Sequence, residues 1–170
     1  MVMAIIGILA GCGSYLMFNL IRNAVFIPNK LNTDMLAQDA LDIMIEGDAQ
    51  AKGLRFSRSV ASIQPYNLTF NNQENQTIRY RLDTVTVKLY RSINNNPDRL
   101  IPYYLRTGIN ITGLNNTLFR YYDAAEIETL NPNNVRRIKI NLVAKTGTGS
   151  YADWQGQSEQ LSSIALKKYQ

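Results

Sequence analysis

The chain has 170 residues, a net charge of +5 and a pI near 9.4. Histidine is absent and Cys12 is the only cysteine, which excludes an intramolecular disulfide, His-based metal ligation and any Ser-His or Cys-His nucleophile system. The length and the 45% hydrophobic content suffice for one packed core, and the modest basic excess is that of an ordinary solvated surface, with nucleic acid not expected as a partner.

Residues 1–21, MVMAIIGILAGCGSYLMFNLI, carry no charge, and Arg22 is the first ionised group. As a helix this stretch is about 30 Å long, close to the hydrocarbon thickness of a bilayer. Gly7, Gly11 and Gly13 lower helix propensity in water but let backbones approach in lipid or in a bundle. Residues 1–27 are therefore read as a hydrophobic stem or transmembrane helix, and residues 28–170 as one globular head. A second reading competes for the same residues. Leu9-Ala10-Gly11-Cys12 ends a small-residue site in cysteine, the pattern in which Cys12 would be lipidated as a new N-terminus. Against it, no Lys or Arg precedes the apolar run, and the run continues past Cys12 through Leu16 and Phe18.

Pro28 removes a backbone donor and disfavours helix at Ile27, so a kink or short break is expected over 27–30. Asn32 or Thr33 can cap a new helix over 31–46, with Asp34 in its first turn. Asp39, Asp42 and Glu46 form one acidic stripe on it; Leu36, Ala37, Ala40, Leu41, Ile43, Met44 and Ile45 form a broad apolar arc suited to packing on a sheet. Gly47 and Asp48 read as a C-cap and a new N-cap. A second helical piece is then expected over 49–63, with Phe56, Val60 and Ile63 on one face and Lys52, Arg55 and Arg58 on another.

From Pro65 the period changes to two. Strands are expected over 67–70, 77–82, 84–90, 100–107, 108–112, 116–122, 135–144 and 160–168, with Pro102 demoting its segment to an edge or bulge. Asparagine clusters at 71–72, 94–96, 115–116 and 131–134 mark turns, because Asn tolerates left-handed backbone and closes Asx turns. Residues 145–156 read as a Gly-, Thr- and Ser-rich loop. The fold class is α+β: a long hydrophobic N-terminal helix continuing into an amphipathic helix laid on an antiparallel meander.

No constellation carries chemistry. Lys145 to Gly149 lacks the spacing of a phosphate loop. Asp123, Glu126 and Glu128 are the nearest approach to a carboxylate cluster, and they read as a solvated loop. Basic residues and tyrosines interleave in Arg79-Tyr80-Arg81 and Arg120-Tyr121-Tyr122, which suits a single-strand binding sheet but equally the solvent face of any sheet. No catalytic residue, cofactor, metal or small-molecule substrate is expected.

Ala4-Ile5-Ile6-Gly7-Ile8-Leu9-Ala10 resembles the core of the N-terminal helix of type IV pilins and type II secretion pseudopilins. The order of the remaining segments is loosely similar to the minor subunits of those families. The family's basic leader, its processing site and its glutamate match no residue here; in register, Met1 would be an internal methionine, with about seven mature residues and the leader ahead of it. The resemblance implies a pilin-like head and no catalysis. It also implies an inner-membrane subunit with a periplasmic head, whose stem packs against other subunits in a filament or its tip, with Gly7 as the stem's small packing residue. The alternative is a cell-envelope binding protein, lipid-anchored at Cys12 and without catalytic activity.

Overall fold

A computed structural model describes the backbone of residues 2–102, 109–115, 117–146 and 156–166, and their side chains except at positions 2–9 and 25. One helix, α1 (Val2–Ile45), leads into a head of nine described strands. They are β1 (Ser57–Gln64), β2 (Asn67–Asn72), β3 (Thr77–Asp83), β4 (Lys88–Ile93), β5 (Arg99–Leu100), β6 (Ile109–Gly113), β7 (Phe119–Tyr122), β8 (Arg137–Thr146) and β9 (Gln157–Ala165). The helix packs against antiparallel sheets, so the class is α+β.

α1 has 44 residues with Pro28 inside it, so the break expected over 27–30 does not occur. An interior proline costs a helix about 3 kcal/mol, and the turns that follow offset it by burial. Thr33, Leu36, Ala37, Ala40, Leu41 and Met44 recur at helical spacing and are buried. Thr33 Oγ1 also donates to the Asn29 carbonyl, 2.7 Å away, one turn after the proline. Ile43 and Ile45, placed in the apolar arc, are only half-buried at its margin.

The second expected helix, 49–63, is absent. In its place stand a tight loop, a 3-10 turn (Leu54–Phe56) and β1. Asp48 Oδ1 accepts from the backbone N–H groups of Gln50 and Ala51, at 2.9 and 3.2 Å, and so closes a turn instead of starting a helix. Gly47 has φ of +90°, and a Cβ there would lie 2.1 Å from the Ala51 carbonyl oxygen; a Cβ on Gly53 would lie 2.5 Å from that of Ile45. Only glycines let the chain double back so closely. β1 itself carries register shifts between Ser57 and Ser59 and between Val60 and Ser62. Each bulge adds a residue to the alternation, and the second lets Val60 and Ile63, three positions apart, both pack on the core as they would in a helix.

Strands β1 to β5 form a five-stranded meander in sequence order. The expected single meander stops there. A second sheet has β8 at its centre: β6 pairs with Ala144 and its neighbours, β7 with Arg137 to Ile140, and β9 runs along the other edge from Arg137 to Lys145. β8 is long enough, at ten residues, to hold two partners end to end on one side. The strand expected over 84–90 starts only at Lys88, as β4, and runs on to Ile93, because Asp83 Oδ1 accepts from the N–H groups of Val85 and Thr86 and Val87 takes a φ of 54°. Parts of the expected 100–107 strand, the 145–156 loop and the end of the 160–168 strand lie outside the described residues.

The asparagines at 94–96, 115 and 131–134 do serve as turns, whereas Asn71 and Asn72, also expected in a turn, are the last residues of β2 and pair with β1 and β3. Asn75, Asn94, Asn95 and Asn115 all have positive φ, and the Asn131 side chain accepts from Asn133 N–H at the 3-10 turn Pro132–Asn134. One continuous core joins α1 to both sheets, with Phe70, Tyr80, Ile111 and Phe119 fully buried. Burial pushes the Tyr121 phenol above its ordinary pKa, although its hydroxyl donates to the Gln64 carbonyl.

Asp98 joins β3 to the turn before β5. It accepts from Arg79 Nη2 at 2.7 Å and from Arg81 Nε and Nη2 at 3.0 and 2.8 Å. Partial burial opposes its ionisation, yet the two guanidiniums hold its carboxyl below the usual range. A depressed carboxylate contributes stability above the unfolded pKa, about 3.9, and loses it as the pH falls through the folded value. Asp98→Asn should therefore lower stability by about 1 kcal/mol at pH 7. The gap to the wild type should close on acidification below about pH 4. Thermal unfolding across that range measures it, and a gap that does not narrow would contradict the assignment.

Candidate assembly helix and its seat on the head

Among the described residues, the first half of α1 has no seat on the head. Tyr15, Leu16, Met17, Phe18, Leu20 and Ile21 are each at least half exposed, from 50% for Ile21 to 69% for Tyr15 and Leu20. These positions go all the way round the helix, so no single face accounts for them. A helix apolar on every side is one made to be surrounded. Ser14 turns its hydroxyl back onto the Ala10 carbonyl at 2.9 Å, which removes its one side-chain donor from solvent or lipid. A Cβ added at Gly11 or Gly13 would meet nothing within 4 Å. The chain's own packing therefore does not require either glycine.

Of the predicted stem residues, Ala4, Ile5, Ile6, Gly7, Ile8 and Leu9 have helical backbone, and their side chains lie outside the described residues. Ala10 is exposed. Cys12 is an exposed free thiol within the same continuous helix. Among the described residues no helix is long and apolar enough to cross a membrane, and that description omits the side chains of 2–9, which open the apolar run.

The seat begins at Asn29. Gly156, just before β9, approaches so closely that a Cβ there would lie 3.0 Å from the Asn29 backbone. The Lys30 ammonium donates to the Gln157 carbonyl and pairs with Asp34 at 3.1 Å. A hydrogen bond from Ser158 holds the Asp34 carboxyl below its ordinary range, with Lys30 adding to this against partial burial. Ser158 is buried, so β9 is polar where it meets the helix entrance and apolar, through Ile164, further on. Below this the apolar side chains of α1 settle on β8 and β9, and the Tyr80 hydroxyl donates to the Ile43 carbonyl from the first sheet.

The end of the helix is fixed by an ion pair that local sequence patterns do not reveal. Arg91 on β4, among the largest fully buried side chains, reaches Asp48 with Nη2 2.8 Å from Oδ2. At the surface, Arg55 pairs with Glu46.

The other sequence motifs serve the fold. In Arg79-Tyr80-Arg81 the tyrosine is in the core and both arginines hold Asp98. In Arg120-Tyr121-Tyr122 the central tyrosine is again buried, whereas Tyr122 lies under the Arg137 and Lys139 cations at 5.7 and 4.8 Å. Asp123 accepts from the N–H groups of Ala125 and Ile127, and Glu126 pairs with Arg137, so these carboxylates do not converge. No three potential metal ligands cluster among the described residues.

Comparison with known proteins finds no matching family model, no similar curated protein and no similar solved structure.

Proposed function

We propose that this chain is a structural subunit, a minor pilin or pseudopilin of a type IV pilus or type II secretion pseudopilus. In this reading the first half of α1 anchors it in the inner membrane, the head is periplasmic, and the same helix packs among those of other subunits during assembly. One observation carries the reading: a helix seated on the head by its second half and apolar on all sides over its first. Exposing six large apolar side chains in water would forfeit about 1.5–3 kcal/mol each. A bilayer or a bundle of like helices recovers that energy. The resemblance of residues 4–10 to the pilin stem supports the choice of bundle.

Leu16 and Leu20 lie one turn apart, so replacing both with aspartate puts two charges on one side of the stem. Wild-type chain should sediment with membranes and, under mild oxidation, form dimers through Cys12. Leu16→Asp/Leu20→Asp should abolish both, since an aspartate costs about 2.5–3.5 kcal/mol at a membrane helix centre. A wild-type chain that stays soluble and undimerised would refute the proposal. An intact mass carrying a diacylglyceryl group on Cys12 would favour the lipid-anchored binding protein instead.

A further inference from the structure

Two surfaces of the head remain unmatched, and each fits the other. On β7 and β8 the alternation sends Phe119, Tyr121, Ile138 and Ile140 into the core and Arg120 and Lys139 to the outer face. Arg120 and Lys139 are register partners, side by side on neighbouring strands. Like charges placed so are destabilising, and neither forms an ion pair among the described residues. They border an open hollow of about 470 Å³ that also includes Leu114, Tyr122 and Leu161. Leu161, on the edge strand β9, is 66% exposed.

The second surface is the outward stripe of α1. Ile27, Leu31 and Met35 are all more than half exposed, and the stripe continues through Gln38 to Asp42, with Asp39 beside it. The Asp42 carboxylate accepts only an amide N–H from Gln38 among the contacts described, and neither Asp39 nor Asp42 forms an ion pair there. One surface thus offers three apolar side chains followed by two acids. The other offers two cations beside exposed leucine.

We propose that the outward stripe of α1 in one copy docks on the Arg120–Lys139 face of a second copy. The two surfaces cannot meet within a molecule. α1 covers the inner face of β8 and β9, and the cations lie on the opposite face of that sheet. The contact joins two different patches, so it is head to tail and repeats as an open stack instead of closing as a dimer. The inference rests on the filament reading and extends it, giving the heads a charge-guided contact besides the stem.

The test is sedimentation of the full chain in mild detergent. Going from 0.1 M to 1 M salt shortens the screening length from about 10 Å to about 3 Å, and association should weaken with it. Arg120→Glu/Lys139→Glu should weaken association by about tenfold or more, and Asp39→Lys/Asp42→Lys should do likewise. Combining the four changes should restore it, a recovery that misfolding would not produce. A wild-type chain that is monomeric throughout would overturn both this contact and the filament reading. Association that ignores salt and both charge reversals, yet is lost in Leu16→Asp/Leu20→Asp, would overturn the docking alone.

Discussion

Arg91→Ala should lower the unfolding free energy of the head by about 3–5 kcal/mol, the usual cost of breaking a buried ion pair from one side. The guanidinium is almost wholly excluded from water, and its Nη2 lies 2.8 Å from Asp48 Oδ2. Asp48 also accepts from Gln50 and Ala51 N–H groups, so one side chain shapes the loop after α1 and ties it to β4. Asp48→Asn can keep an oxygen for those two N–H groups but leaves the arginine's charge in the core. It should therefore be nearly as damaging as Arg91→Ala. Arg91→Met with Asp48→Asn removes both charges and keeps most of the volume. That double variant should recover more than half of the loss, because the penalty lies mainly in the uncompensated charge. Chemical denaturation of these variants, with Arg91→Met alone completing the cycle, measures the coupling. Single variants that each cost under about 1 kcal/mol would show that the pair behaves as an exposed one.

This pair was not legible in the sequence, and the reason is physical. Arg91 and Asp48 are 43 positions apart, and each alone looks like a solvated charge. Patterning sees only neighbours on one element. It found β2, β3 and β8 closely, since the alternation of buried and less buried residues is unbroken through β2 and β3 and holds in β8 as far as Leu142. It failed where a local device changes the period. The bulges of β1 imitate helical spacing, and the Asp83 turn halts a strand that Thr84 to Val87 would otherwise extend. It failed again at Pro28, where packing of Leu36 and its neighbours outweighs a local breaker. The division into two sheets was beyond it, because nothing in β8 by itself says that β6 and β7 share one of its edges. The stem was visible as an uncharged run, whereas its seat against Gly156 and Ser158 depends on residues far along the chain.

Cutting the chain at two points along α1 should separate the stem from the seat. Removing residues 1–28 takes away side chains that the head does not bury: from Ala10 to Pro28, every residue with a described side chain is exposed or only partly buried. It leaves Asn29 against Gly156, the Lys30 contacts and the whole apolar stripe from Thr33 to Met44. That fragment should be soluble and should melt within a few degrees of the full chain. Removing residues 1–40 instead takes Thr33, Leu36, Ala37 and Ala40 out of the core and uncovers part of β8 and β9. Truncating one buried leucine costs about 2–5 kcal/mol, and a domain of this size has about 5–15 kcal/mol in total. The longer deletion should therefore abolish cooperative unfolding. Circular dichroism melts and light scattering on both fragments decide the matter. If the shorter deletion also unfolds or aggregates, the head depends on the stem and the two-part division at Pro28 fails. If the longer one folds, α1 is not part of the core that its buried face describes.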